Sequence, residues 1–186
     1  MSAASIPSLI SIQVARPLSL RHMGKEVRTG IFKLPVAGPV MVRSLNIDGD
    51  EQGDLTVHGG VDKAVYCYPS EHYPVWQEEL GRELPNGTFG ENLTVSGLLE
   101  IDLHVGDTFE LGGAILQVSQ PRYPCYKLGI KIGDQRFVKR FQESGRSGFY
   151  CRVLQEGLIE AGQPISLKQR DESAPTIAAI VTERNA

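Results

Sequence analysis

Glycine and proline dictate what this chain can become. Twenty glycines and eleven prolines punctuate its 186 residues, spread along the length and gathered in no single linker. A proline removes a backbone donor and a glycine weakens a helix interior, so long uninterrupted helices are excluded over most of the sequence. Between these breaks lie short runs with strand patterning. Ile10, Ile12 and Val14 alternate with Ser11, Gln13 and Ala15, the period-two pattern of a half-buried strand. Residues 40–45 form another run, closed by the turn-forming Asn46-Ile47-Asp48-Gly49-Asp50. Residues 64–68 form a short one that ends at Pro69. Residues 108–111 and 114–120 flank Gly112-Gly113, a two-residue hairpin signal. Residues 149–154 and 165–167 complete the series. Strands joined by short turns predict a mainly β chain, an antiparallel barrel or sandwich.

Helices are few. Residues 70–80 place Tyr73, Trp76 and Leu80 on one face, with Gly81 as the stop. Pro74 belongs in a first helical turn, which moves the start past Ser70. Residues 134–144 set Phe137 and Phe141 four apart, with Gly145 at the end. Past Arg170 the chain turns polar, with a short helix expected at 176–181. The length suits one domain, over residues 1–170, followed by a tail at 171–186.

The charge balance narrows the function. Nineteen Lys and Arg against twenty-two Asp and Glu leave a formal charge of −3, without the basic stripe of a nucleic-acid-coating protein. No run approaches the ~18 apolar residues of a membrane span. The chain is therefore expected to be soluble and cytoplasmic, with no nucleic-acid or membrane partner. In that reducing compartment the odd set Cys67, Cys125 and Cys151 should stay unbridged. His22, His58, His72 and His104 form no local metal-binding pair, and there is no CxxC.

Three segments carry candidate chemistry. In Gln120-Pro121-Arg122-Tyr123-Pro124-Cys125-Tyr126-Lys127-Leu128 two prolines impose an extended, irregular backbone, so Cys125 belongs on a rigid loop. Arg122 and Lys127 favour its thiolate, the form that acts as nucleophile or soft-metal ligand. Cys67 and Cys151, inside apolar strand runs, read as small core residues. The second segment, His58-Gly59-Gly60-Val61-Asp62-Lys63, pairs two glycines that permit positive φ with a nearby cation, which suits an anion. His58 offers a hydrogen bond there, and Asp62 reads as a turn cap. In the third, Gly87-Thr88-Phe89-Gly90-Glu91-Asn92-Leu93, Asn92 either presents donor and acceptor to a heterocycle or simply closes the loop. Arg146-Ser147-Gly148 reads as a solvated loop.

Taken in order, these stretches resemble the MOSC domain family, in its YiiM-like branch. The resemblance rests on His58-Gly59-Gly60 with Asp62-Lys63-Ala64-Val65, on Phe89-Gly90-Glu91-Asn92-Leu93, and on Gln120-Pro121-Arg122 through Pro124-Cys125 to Lys127-Leu128. A fourth match, Gly148, Tyr150 and Arg152-Val153 with Glu156-Gly157, precedes the final strand. The resemblance implies a closed or partly open antiparallel β-barrel with a few short peripheral helices. It also implies the molybdenum cofactor, with Cys125 as molybdenum ligand or sulfur carrier. Lys63, Arg122 and Lys127 are then candidates for the cofactor's phosphate. His58, Gly59, Gly60 and Asn92 would face pterin or substrate. The implied reaction is reduction of N-hydroxylated bases such as 6-N-hydroxylaminopurine, with a separate electron-donor protein. The alternative is a non-redox carrier of persulfide or of the cofactor itself. Longer chains of the branch continue past the last strand into a helical extension, most of which residues 171–186 lack.

Overall fold

The computed structural model describes residues 6–51 and 59–186. Its strands are β1 (Ser8–Val14), β2 (Leu18–His22), β3 (Lys25–Thr29), β4 (Leu34–Val36), β5 (Val40–Val42) and β6 (Val65–Pro69). They continue as β7 (Leu93–Ser96), β8 (Thr108–Leu111), β9 (Ala114–Pro121), β10 (Phe149–Gln155), β11 (Gly157–Ile159) and β12 (Ile165–Gln169). Four short helices join them: α1 (Tyr73–Leu80), α2 (Tyr126–Ile132), α3 (Phe137–Glu143) and α4 (Ile177–Asn185). None is long and apolar enough to cross a membrane, among the described residues.

Eight strands form one sheet in the order β12-β8-β9-β10-β6-β7-β1-β4, while β11 pairs with β5 and β2 with β3. The sheet is mixed, not wholly antiparallel, because β6 and β7 run parallel. A parallel pair needs a crossover, and α1 sits in it. Of the closed and partly open barrels expected, the closed one is not found: among the described residues no continuous ladder seals the sheet. Three backbone bonds instead draw β1 towards the approach to β12, from Leu9 N to Gln163 O (2.9 Å), Gly162 N to Leu9 O (2.7 Å) and Ile165 N to Pro7 O (2.7 Å). They curl the sheet without completing a barrel.

Local chemistry explains the ends of the elements. Pro74 lies in the first turn of α1, and Gly81 caps it in the left-handed conformation with its N–H on the Gln77 and Glu78 carbonyls. Thr176 caps α4, its hydroxyl accepting from Ala179 N at 3.1 Å. In β1 the register shifts between Leu9 and Ser11, so Leu9 and Ile12 are buried while Ile10 points out. The simple alternation of Ile10 with Ile12 fails at this bulge.

Two apolar clusters hold the sheet from its two sides. Leu9, Ile12, Val65, Cys67, Leu93, Leu116, Phe149 and Cys151 belong to the first. The second is aromatic and lies under the helices: Tyr66, Tyr68, Tyr73, Trp76, Phe89, Phe137 and Phe141. Strand β6 divides them, sending Val65 and Cys67 one way and Tyr66 and Tyr68 the other. Buried on both faces, it reads as a continuous apolar run, as interior parallel strands do. The loop 146–148 belongs to this packing and is not solvated: Ser147 and Gly148 are buried, and Arg146 lies over the Trp76 ring at 6.0 Å.

Candidate functional site

β9 delivers Arg122 as it leaves the sheet, and the chain stays extended as far as Cys125 (φ −116°, ψ 170°). There α2 begins at once, a helix the sequence reading lacked. Leu128 and Ile132 bury one side of it against the aromatic cluster, and Gly133 ends it. Cys125 is therefore fixed between a strand end and a helix start, and is half-buried. It forms no disulfide.

Cys125, Arg122 and Lys127 line one cavity of about 110 Å³. Gly59 and Lys63, from the turn before β6, stand in the same wall, as does Asn92 from the approach to β7. The segment between β3 and β4 adds Lys33, and the turn after β5 adds Asp50. Six of the residues selected from sequence thus meet around one space. Gly59 and Gly60 both adopt positive φ, at 115° and 85°, but Gly60 is exposed and outside the lining. His58 lies outside the described residues. The Asp62 carboxylate pairs with Arg152, and no side-chain cap closes the Val61–Lys63 turn among the described residues.

Arg122 is the buried cation of the site, 6% exposed. Its guanidinium lies over the rings of Tyr66 and Phe141 at 5.2 and 5.3 Å, and Nη2 donates to Phe89 O at 3.2 Å. Among the described residues no hydrogen-bond partner meets its Nη1, a buried donor left over. Burial raises the pKa of Tyr150, whose phenol is near enough for Arg122 to pull against that rise.

Asn92 lines the cavity while its amide is engaged by the fold. Its Oδ1 accepts from Tyr66 N at 3.1 Å, and Nδ2 donates to Asp50 Oδ2 at 2.9 Å and Gln13 O at 3.4 Å. That amide ties loops together, as the closing role requires. Glu91, fully buried, does similar work: it accepts from Gly87 N at 2.7 Å, Phe89 N at 3.0 Å and Thr94 Oγ1 at 3.1 Å, and from the Tyr73 hydroxyl. Behind it Lys131, on α2, donates to Ile31 O at 2.7 Å and to Gly87 O. Burial lowers its pKa to about 8. Lys33, Asp50, Glu91 and Lys131 were not singled out from sequence. Asp50 and Glu91 stand among turn residues there, whereas Lys33 and Lys131 each lie between apolar neighbours, Phe32 and Leu34 for one and Ile130 and Ile132 for the other, a signal of burial the sequence reading did not use.

Cys67 and Cys151 are core residues on neighbouring strands. The hydrogen bond between the Cys151 and Cys67 thiols, with burial, pushes the Cys151 thiol well above its ordinary value, so it is poorly suited to act as a thiolate.

The donor set fits the anionic parts of a metal-pterin group. The spare Arg122 donor and the flanking Lys63 and Lys127 suit phosphate or oxyanion, and a cysteine sulfur suits a soft metal. Among the described residues, no three His, Cys, Asp or Glu side chains gather to hold a metal ion. The cavity volume matches an oxyanion-sized group and is small for a whole pterin.

The MOSC domain matches residues 54–166, a span that contains β6 to β11 and Cys125. The chain belongs to the MOSC domain family. Among its MOSC relatives is the uncharacterized protein YflK of Bacillus subtilis, 47% identical over 170 residues that cover 91% of this chain and 77% of YflK. A protein of Gibberella moniliformis called a reductase is 37% identical over 153 residues, 80% of this chain but 27% of that much longer protein. The crystal structure of YiiM from Geobacillus stearothermophilus superposes with a TM-score of 0.80 and 41% identity, covering 96% of this chain and 84% of that one. This MOSC chain has the YiiM-like fold.

Proposed function

We propose that this MOSC protein reduces N-hydroxylated bases, of which 6-N-hydroxylaminopurine is the type, or related N-hydroxylated compounds, with the molybdenum cofactor held at Cys125. The observation that carries the reading is the meeting of Cys125 with the unsatisfied buried Nη1 of Arg122 in one cavity. Membership of the MOSC family and similarity to a protein called a reductase support it.

Cys125 offers its sulfur from a backbone pinned by β9 and α2. Arg122 binds an anionic oxygen through Nη1, and its charge counts for more because Tyr66 and Phe141 keep water from it. Lys63 and Lys127 add positive charge at the same cavity. Asn92 and Asp50 keep the wall in shape. When bound, the cofactor supplies the two-electron reduction of the N–O bond, and the protein's share is ligation, orientation and electrostatics. Amine and water result when two electrons and two protons are taken up. A separate electron-donor protein supplies the electrons.

The test is turnover of 6-N-hydroxylaminopurine, with a reduced dye as electron source, by wild type and Cys125→Ser from a host that makes the cofactor. Wild type should reduce the base; the variant should fall to background with an unchanged melting temperature. Normal turnover by the variant overturns the reading. Inactivity of both proteins, with one extra sulfur on wild-type Cys125, establishes the persulfide carrier instead.

A further inference from the structure

A second pair of charged groups lines the same cavity. Lys33 and Asp50 form an ion pair with side chains 8% and 2% exposed, from segments before β4 and after β5. Both oxygens of the Asp50 carboxylate are engaged: Oδ1 accepts from Ala15 N at 2.9 Å and from Lys33, and Oδ2 accepts from Asn92 at 2.9 Å. It therefore stays a satisfied anion even when Lys33 gives up a proton. An ammonium has three N–H donors, and Asp50 takes one of those on Lys33.

Burial lowers the pKa of Lys33, against the pull of the Asp50 and Glu91 carboxylates. The Lys33 ammonium in turn lowers the pKa of Lys131 on α2, so the two cations repel. Arg122 cannot take this part, because a guanidinium does not give up its proton in a protein.

We infer that Lys33 is the proton donor of this cavity and that Asp50 is its positioning residue. The inference rests on the reductive reading above. In R–NH–OH + 2 e⁻ + 2 H⁺ → R–NH₂ + H₂O the N–O bond breaks, the nitrogen gains one hydrogen and the oxygen leaves as water. The electrons come from a reductant of the reduced-flavin class. Lys33 gives one proton, becomes the amine and is recharged from solvent; water supplies the second.

Lys33→Arg tests this, since it keeps the positive charge beside Asp50 but holds its proton. In cofactor-loaded protein supplied with reduced flavin, the variant should lose about 100-fold or more in kcat. It should also lose the wild-type fall in rate at alkaline pH, where Lys33 becomes the amine. Nitrogen NMR of lysine-labelled, unloaded wild type gives a readout free of activity: the Lys33 signal should titrate below an ordinary lysine. A variant with the wild-type rate and pH profile, or a Lys33 signal with ordinary titration, overturns the inference and leaves the reductive reading standing. A loaded wild type that reduces no N-hydroxylated compound overturns that reading, and the proton step with it.

Discussion

A charged side chain buried away from any carboxylate needs compensation, and Arg122 finds it in two aromatic faces and a backbone carbonyl. Those contacts hold the guanidinium in place and still leave Nη1 for a ligand. Lys131 shows the opposite balance. Both its named acceptors are neutral carbonyls, and its pKa falls to about 8 from an ordinary 10.5. Below pH 8 both folded and unfolded chains carry its proton, and the fold bears the whole cost of burying the charge. Between those values the unfolded chain binds more protons, so the Lys131 contribution to stability rises with pH. Relative to Lys131→Met, wild type should therefore gain up to about 3 kcal/mol between neutral pH and the ordinary lysine range. Urea denaturation of both proteins across that range measures the gap, and a gap that ignores pH contradicts the account. At this scale the sequence revealed residues whose neighbours already implied chemistry, such as Cys125 between Arg122 and Lys127. It hid those made special only by folding. Asn92 gave no sign in its own segment of which partners its amide would meet, because Tyr66, Asp50 and Gln13 come from three distant segments.

Among elements, the contact of β10 with β6 controls the most, because β6 separates the two apolar clusters. Gly148 makes that approach possible. Its φ is +65°, and a Cβ there would lie 2.5 Å from Cys67 O, 2.8 Å from a Tyr66 ring carbon and 2.9 Å from one of Tyr68. Gly148→Ala should cost about 2–4 kcal/mol, by strain and by forcing β10 away from β6. Chemical denaturation measures it; a loss under about 1 kcal/mol would mean that the strands part without penalty. Elements with strong local signals were legible, among them the Gly112-Gly113 hairpin and α1 with its Pro74 and Gly81. Those without were not. The hairpin of β2 and β3 buries only Val27 and Thr29, so apolar alternation does not announce it. Strand β7 follows a loop rich in turn residues, and missing it concealed the parallel pair.

For the molecule as a whole, turn spacing was enough to indicate a mainly β chain with peripheral helices. Closure of the sheet was not legible, since it depends on a few backbone bonds between β1 and the approach to β12, which no side-chain pattern encodes. Segments from before β4 to the start of α2 converge on one cavity, and Cys125 is the one cysteine of the three that reaches it. The central claim is that this cysteine holds molybdenum brought by a pterin. Its most direct test is molybdenum and pterin per chain in wild type and Cys125→Ser, both purified without oxygen from a host that makes the cofactor. The account predicts near-stoichiometric molybdenum with pterin in wild type and loss of the metal in the variant. Wild type free of molybdenum, from a host shown to load other molybdenum proteins, would contradict it.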